Sequence, residues 1–216
     1  MPGLLVSLCD PNEAVGTLTN RERPVISVRE ILTVGNPLLR VPARRLSRDE
    51  LLLASTQAMI DDLVETMFDA HGAGLAAPQI GWPVQVAAVC VKDNPRYPYK
   101  PNIPLTIFVN PEIRVRTSRT AMINEGCLSL PGWRGEVERF MEISVKAWDR
   151  SGKELNFDVS GLTAATYQHE FDHLQGMLFV DRVTDPTTFM TWKNFERYHR
   201  QAFESRARKL VAEFGM

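Results

Sequence analysis

Residues 168–176 read Gln-His-Glu-Phe-Asp-His-Leu-Gln-Gly, and within them His169-Glu170-x-x-His173 sets two imidazoles and a carboxylate at a spacing that one metal ion could use. Residues four apart share a face of an α-helix, so His169 and His173 can hold one ion while Glu170 flanks it, near the water that ion would bind. That arrangement suits metal-assisted hydrolysis. With four histidines in 216 residues, chance produces the pattern in roughly one chain in a few hundred, so its setting must decide its meaning. Residues 161–167 are poor in charge, and Gly176 is placed to end a helix as a left-handed cap. Tyr167, Phe171, Leu174 and Leu178 recur at helical spacing, about opposite the histidine face. A helix buried nearly all round needs a reason for its charged residues, and coordination supplies one.

Two histidines leave a catalytic site short of a ligand, because such a metal usually takes three protein donors and one water. Three cysteines are available. Cys9 lies in a stretch with little pattern, and Cys90 ends the apolar run 84–91, where a cysteine reads as a small buried hydrophobe. Cys127 lies in Glu125-Gly126-Cys127-Leu128-Ser129-Leu130-Pro131-Gly132, whose glycines allow backbone to approach an ion or ligand closely. By residue type alone, a structural role is the commoner one for such a cysteine.

Three segments taken together resemble the peptide deformylases, which carry Gly-x-Gly-x-Ala-Ala-x-Gln, Glu-Gly-Cys-Leu-Ser and Gln-His-Glu-x-Asp-His-Leu-x-Gly in that order. Here they read Gly72-Ala73-Gly74-Leu75-Ala76-Ala77-Pro78-Gln79, then residues 125–129, then 168–176. The similarity covers about residues 28–183. Ala73 stands where the family usually has a branched aliphatic residue, and 93–104 is longer than in its shorter members. The resemblance implies that Cys127, His169 and His173 ligate one divalent metal, with Glu170 as general base and acid. It implies that the Gln79 amide and the Leu128 backbone N–H stabilise the oxyanion. Fe(II) is the metal implied in the cell; Zn(II), Ni(II) or Co(II) suit the same donors in purified protein. The implied substrate is the N-formyl group of nascent peptides that begin with formylmethionine, released as formate. The peptide would lie extended beside Gly72, Ala73 and Gly74, with its first side chain near Leu162, Ala165 and Thr166. Arg134 is placed near that peptide and Arg139 in a buried ion pair, with Glu125 a candidate partner for either; Asp172 is expected to support the helix or a ligand histidine.

Two other readings compete. A metallopeptidase with the same helix motif generally takes His or Glu as third ligand, and a non-catalytic protein with a structural metal needs four protein ligands. Cys127 weighs against the first, and no obvious fourth donor supports the second.

The elements around these motifs follow from ordinary patterning. With 216 residues, 44% apolar, and a formal charge of −1, the chain suits one domain with an ample core. No apolar run approaches the roughly 20 residues that span a membrane, and Met1-Pro2-Gly3-Leu4-Leu5 lacks a basic secretory start. Three cysteines cannot all pair and one is wanted as a thiolate, so a reducing cytoplasm is expected, with neither membrane nor DNA as partner. Ser47 and Glu50 form a capping box that opens a helix with Leu52, Thr56, Ile60, Leu63 and Met67 on its buried face. Residues 84–91 and 105–109 read as strands, and 141–148 with 154–159 as a hairpin about Asp149-Arg150-Ser151-Gly152. The expected fold class is α+β: a single domain of antiparallel β-sheets around a central metal-binding helix, with a C-terminal helix. Residues 1–27 are expected as a flexible or wrapping arm, 28–183 as the catalytic domain, and 184–216 as an amphipathic basic helix opening at Asp185-Pro186. Its Lys193, Arg197, Arg200, Arg206, Arg208 and Lys209 make ribosome contact a candidate role, against the plainer alternative of a packed helix with a solvated basic face.

Overall fold

A computed structural model describes residues 26–92, 94 and 98–215. Most of the expected N-terminal arm, and Cys9 with it, lies outside the described residues. Where the described chain begins, it is pinned: Ser27 N donates to Asp62 Oδ1 at 2.7 Å, and the Arg29 guanidinium closes on the same carboxylate.

The capping box forms as expected, with Glu50 N on Ser47 Oγ and Ser47 N on the Glu50 carboxylate. It opens a shorter helix than the periodicity predicts. α1 (Arg48–Leu52) stops at Leu53, whose backbone is extended, and α2 (Ala54–Asp69) starts afresh. Gln57 Nε2 covers the broken end by donating to Leu51 O at 2.7 Å. The break resets the helical phase, so Leu51 is buried and Leu52 is exposed, while Thr56, Ile60, Leu63 and Met67 face the core as predicted.

Next come β1 (Gly74–Ala76), β2 (Val86–Val91), β3 (Ile103–Val115), β4 (Thr120–Cys127), β5 (Leu130–Phe140), β6 (Glu142–Trp148) and β7 (Glu154–Ser160). An antiparallel sheet runs β1-β2-β3-β6-β7. Its two faces are both covered. Ala87, Val89 and Val91 of β2 pack in one apolar cluster, and Val86, Ala88 and Cys90 in the other with Ile60, Leu63 and Met67 of α2. Successive strand residues point to opposite faces, so a strand covered on both sides reads as an unbroken apolar run. β3 outruns the strand expected at 105–109 because Asn110 takes a positive φ of 52° and locks a bulge, bonding Leu46 N and O with its side-chain amide.

β7 leads into α3 (Gly161–His173), the motif helix, in which every residue but His169 is buried. Tyr167, Phe171 and Leu174 enter the first cluster as predicted, with Ala164 beside them, whereas Leu178 is buried beyond the end of the helix and outside that cluster. Gly176 N donates to His173 O and Met177 N to Asp172 O, a paired closure of the last turn that needs a left-handed residue at Gly176, φ +72°. A Cβ there would also lie 2.7 Å from Arg40 O. Gly176→Ala is therefore expected to cost about 2–4 kcal/mol from the conformation and the clash together. An unchanged urea midpoint would refute this.

Asp185-Pro186 opens only a 3-10 turn, Pro186–Thr188, rather than the last helix. Residues 190–191 form β8 (Met190–Thr191) on β5, completing the second sheet, β4-β5-β8, and this pairing holds the chain extended there. The helical run begins at α4 (Trp192–Asn194), capped by Thr191, and passes through a π turn into α5 (Arg200–Phe214). Phe195, Phe203 and Ala207 pack against Leu162 and Ala165 of α3, so this segment is part of the core. Among its cations, Arg200 pairs with Glu196 and Glu204, and Arg206 with Glu136. Among the described residues, no helix is long and apolar enough to cross a membrane.

Candidate active site

The predicted ligands arrive from two elements. β4 ends on Cys127, where its pairing with β5 shifts register between Gly126 and Cys127. α3 presents His169 and His173 one turn apart, their ring centroids 5.1 Å apart. One donor atom from each of the three residues lies within 4.8 Å of the others, and Cys127 Sγ is 3.3 Å from His173 Nε2. Among the described residues this is the cluster whose donors could hold a metal ion.

The donor chemistry fits a borderline divalent ion. Glu125 Oε2 accepts from His169 Nδ1 at 2.7 Å, which fixes the tautomer and leaves the Nε2 lone pair for coordination. Burial pushes the Cys127 thiol up, but the His173 charge and the hydrogen bonds of both histidines outweigh it and bring the thiol down to about 5. The sulfur is thus a thiolate at neutral pH, and with two imidazoles it favours Fe(II), Co(II), Ni(II) or Zn(II) over Mg(II) and Ca(II). Burial disfavours charge on His169, yet Glu125 and Cys127 raise its proton affinity well above the usual, so metal entry must expel that proton. Cys127→Ala removes the charged donor and is expected to leave the purified protein with little bound metal. Full metal content by elemental analysis would remove Cys127 from the ligand set.

Glu125 is in turn held as a carboxylate: burial pushes its proton affinity up, and Arg139 more than reverses this. Arg139, 2% exposed, donates Nε and Nη2 to Glu125 and Nη1 to Asp172. Asp172 therefore reaches the ligands only through Arg139, and it bonds Arg182 rather than a histidine. The expected buried pair of Arg139 is present, and the supporting carboxylate for His169 is Glu125.

Gln79 is 2% exposed, not a surface residue. Its Oε1 accepts from Ala76 N at 2.8 Å, which turns Nε2 toward Ser129 Oγ at 3.0 Å and Cys127 Sγ at 3.6 Å. Ser129 was present in the cysteine motif without an assigned part; it is fully buried and anchors this amide. Glu170 is also buried, and desolvation raises its proton affinity against the opposing histidine charges. Its carboxylate lies against Gly74, where any Cβ would collide with it. Gly72, Ala73, Gly74 and Leu128 line the same cavity as Gln79, Cys127, His169 and Glu170.

Arg134 lines that cavity too, but as a buried residue. Its guanidinium donates to the Asn124 side chain and to Asn124 O, and lies over the rings of Trp192 and Phe195 at 4.8 and 4.4 Å. The cavity extends past Leu162, Ala165 and Thr166 to Tyr99, Lys100 and Phe203. The last three carry no motif in the sequence.

The chain matches the family model described as polypeptide deformylase over residues 28–189. It is 44% identical to a peptide deformylase of Thermomicrobium roseum, over 76% of this chain and 90% of that one. With peptide deformylase 1A, chloroplastic, of Solanum lycopersicum, identity is 35% over 81% of this chain, which spans 66% of that relative's length. Among solved structures, a class I type b peptide deformylase from Acinetobacter baumannii with bound Met-Ala-Ser superimposes with a TM-score of 0.71 and 36% identity, over 73% of this chain and 99% of that one. The family model matched over residues 28–189 and a relative 44% identical, together with a Cys-His-His donor set gathered from β4 and α3 in a shared fold, show that the chain belongs to the polypeptide deformylase family.

Proposed function

We propose that this protein removes the N-formyl group from the N-terminal formylmethionine of newly synthesised polypeptides, releasing formate. The observation that carries this is the convergence of Cys127, His169 and His173 beside a buried Glu170 and an amide, Gln79 Nε2, turned into the same cavity. A divalent ion held by the three ligands would supply an acidified water and polarise the formyl carbonyl. Glu170 takes the proton released in the attack and returns it to the departing amine; its buried carboxylate suits both directions of transfer. Gln79 Nε2 and the Leu128 N–H donate to the carbonyl oxygen as its charge grows. The backbone of Gly72, Ala73 and Gly74 pairs with the extended peptide, and Arg134 positions its path. A formyl carbon carries only hydrogen, so a narrow site admits it and rejects bulkier acyl groups.

The cellular metal is read as Fe(II) from the family resemblance, while the thiolate and two imidazoles fit Fe(II), Zn(II), Ni(II) and Co(II) alike. A thiolate ligand that oxygen can oxidise suits a reducing cytoplasm. Anaerobically prepared, iron-loaded protein is expected to release formate from a formyl-Met peptide and to leave an acetyl-Met peptide and an internally scissile blocked peptide intact. Internal cleavage without formate would replace this reading by a metallopeptidase.

Nascent chains are met at the ribosome, and the exposed cations Lys193, Arg197, Arg208 and Lys209 are proposed to make a charge-driven contact there. Deleting the C-terminal segment would strip the core of Phe195 and Phe203, so charge reversal is the cleaner probe. Changing these four residues to Glu is expected to abolish low-salt cosedimentation with ribosomes; unchanged cosedimentation would remove the contact.

A further inference from the structure

Gly126, Cys127, Leu128 and Arg134 line a second recess as well as the active-site cavity, so one extended peptide can run from the metal donors into both. Trp133 of β5 and Trp192 of α4 supply its rings. Trp133 is 47% exposed, an apolar surface that a peptide side chain would cover. The family match ends at residue 189, so Trp192 comes from a part of the chain that the shared motifs do not account for. Arg134 stands between the two recesses with one donor to spare. It is 1% exposed; Nε and Nη2 go to Asn124, and Nη1 has no hydrogen-bond partner among the described residues. A buried charged donor without an acceptor is costly, and a ligand that supplies one recovers the loss. Nη1 lies beside Gly126, where a Cβ would come within 3.3 Å of it.

The C-terminal segment sets the aim of that donor. β8 pairs with β5 at this point, Met190 opposite Arg134 and Thr191 opposite Trp133, and the next residue, Trp192, lays its ring against the guanidinium at 4.8 Å. The third residue of the substrate is the one that reaches it. In an extended chain the first and third side chains point the same way, roughly 7 Å apart. The first lies against the α3 wall, where Phe195 and Phe203 pack on Leu162 and Ala165, so the third meets the same C-terminal segment again at Trp192. We propose that this segment completes the substrate site downstream of the formyl group: the recess lined by Trp133 and Trp192 holds an apolar third side chain, Arg134 Nη1 donates to that residue's backbone carbonyl, and Trp192 holds Arg134 in place to do so. The inference rests on the deformylase reading above and leaves its chemistry at the formyl carbon unchanged.

The test is formate release by the iron-loaded enzyme from three formyl-Met-Ala compounds that differ after the alanine. One is the plain amide; the 3-methylbutylamide adds a leucine side chain without its carbonyl; the leucine amide has both. In the wild type kcat/KM is expected to rise at each step, and by roughly tenfold at the last, carried by KM as for binding remote from the reacting carbon. Trp192→Ala is expected to erase the last step, and Trp192→Phe, which keeps a ring on the guanidinium, to retain it. A fold merely weakened by the substitution lowers all three rates together and leaves their ratios, so wild-type ratios in Trp192→Ala overturn the proposal. Equal kcat/KM for the leucine amide and the 3-methylbutylamide in the wild type also overturns it, while formate from any of the three keeps the deformylase reading. No formate from any compound overturns both.

Discussion

Glu170→Gln is expected to lower kcat for formate release by about 10²- to 10⁴-fold while leaving bound metal in place. The substitution keeps the shape of the side chain, which matters here because the carboxylate lies in contact range of the Gly74 backbone and has little room to move. What it removes is the ability to take a proton and hand it on. Glu170 is not among the three donors that cluster within 4.8 Å, so the loss belongs to the rate and not to metal content. Burial raises the proton affinity of Glu170, with the histidine charges opposing. The wild-type rate should therefore fall on the acid side as this carboxylate protonates, and that limb should be missing in the variant. A variant with undiminished kcat and full metal would take Glu170 out of the mechanism.

The site could be found in the sequence because its parts are short and contiguous. Four-residue spacing on a helix fixes the relative position of His169 and His173 whatever the rest of the fold does. Cys127 and Gln79 came from their motifs, and the structure brings both to the histidines. Partner choice was less legible. Glu125 and Asp172 are both acids near the ligands, and which of them meets His169 depends on how β4 lies over α3, a tertiary relation that local pattern does not encode. β4 and β5 themselves are glycine-interrupted and carry charges at buried positions, Glu125, Arg134 and Arg139, so their strand character is hidden from alternation. Periodicity puts Leu52 on the buried face because it assumes an unbroken helix, and Leu53 breaks it. Lys100 had no signal at all: a lysine in a proline-rich connection reads as solvated until Tyr99 is seen buried against Phe203.

Arg139→Met is expected to destabilise the fold by about 3–5 kcal/mol and to weaken metal binding by about 10- to 100-fold. Arg139 joins two buried carboxylates, with bonds of 2.7 and 2.9 Å to Glu125 and 2.6 Å to Asp172. Methionine matches much of its volume but leaves Glu125 without its main counter-charge, whereas Asp172 keeps Arg182. Glu125 must then stay charged at high cost or take up a proton, and a protonated Glu125 no longer orients His169 as a carboxylate does. The pH dependence carries the same sign. In the wild type Arg139 holds Glu125 well below the ordinary carboxylate range. Its contribution is thus fully present above that range and is lost as pH falls through the depressed value. In Arg139→Met this acid-side loss should shrink, because the group no longer differs so much between folded and unfolded chains. Urea unfolding across pH, with chelator competition for the metal, measures both effects. A variant that keeps wild-type stability and metal affinity would show that the ion cluster is dispensable to the site, and Arg139→Lys, which retains the charge without the bidentate fork, should fall between the two.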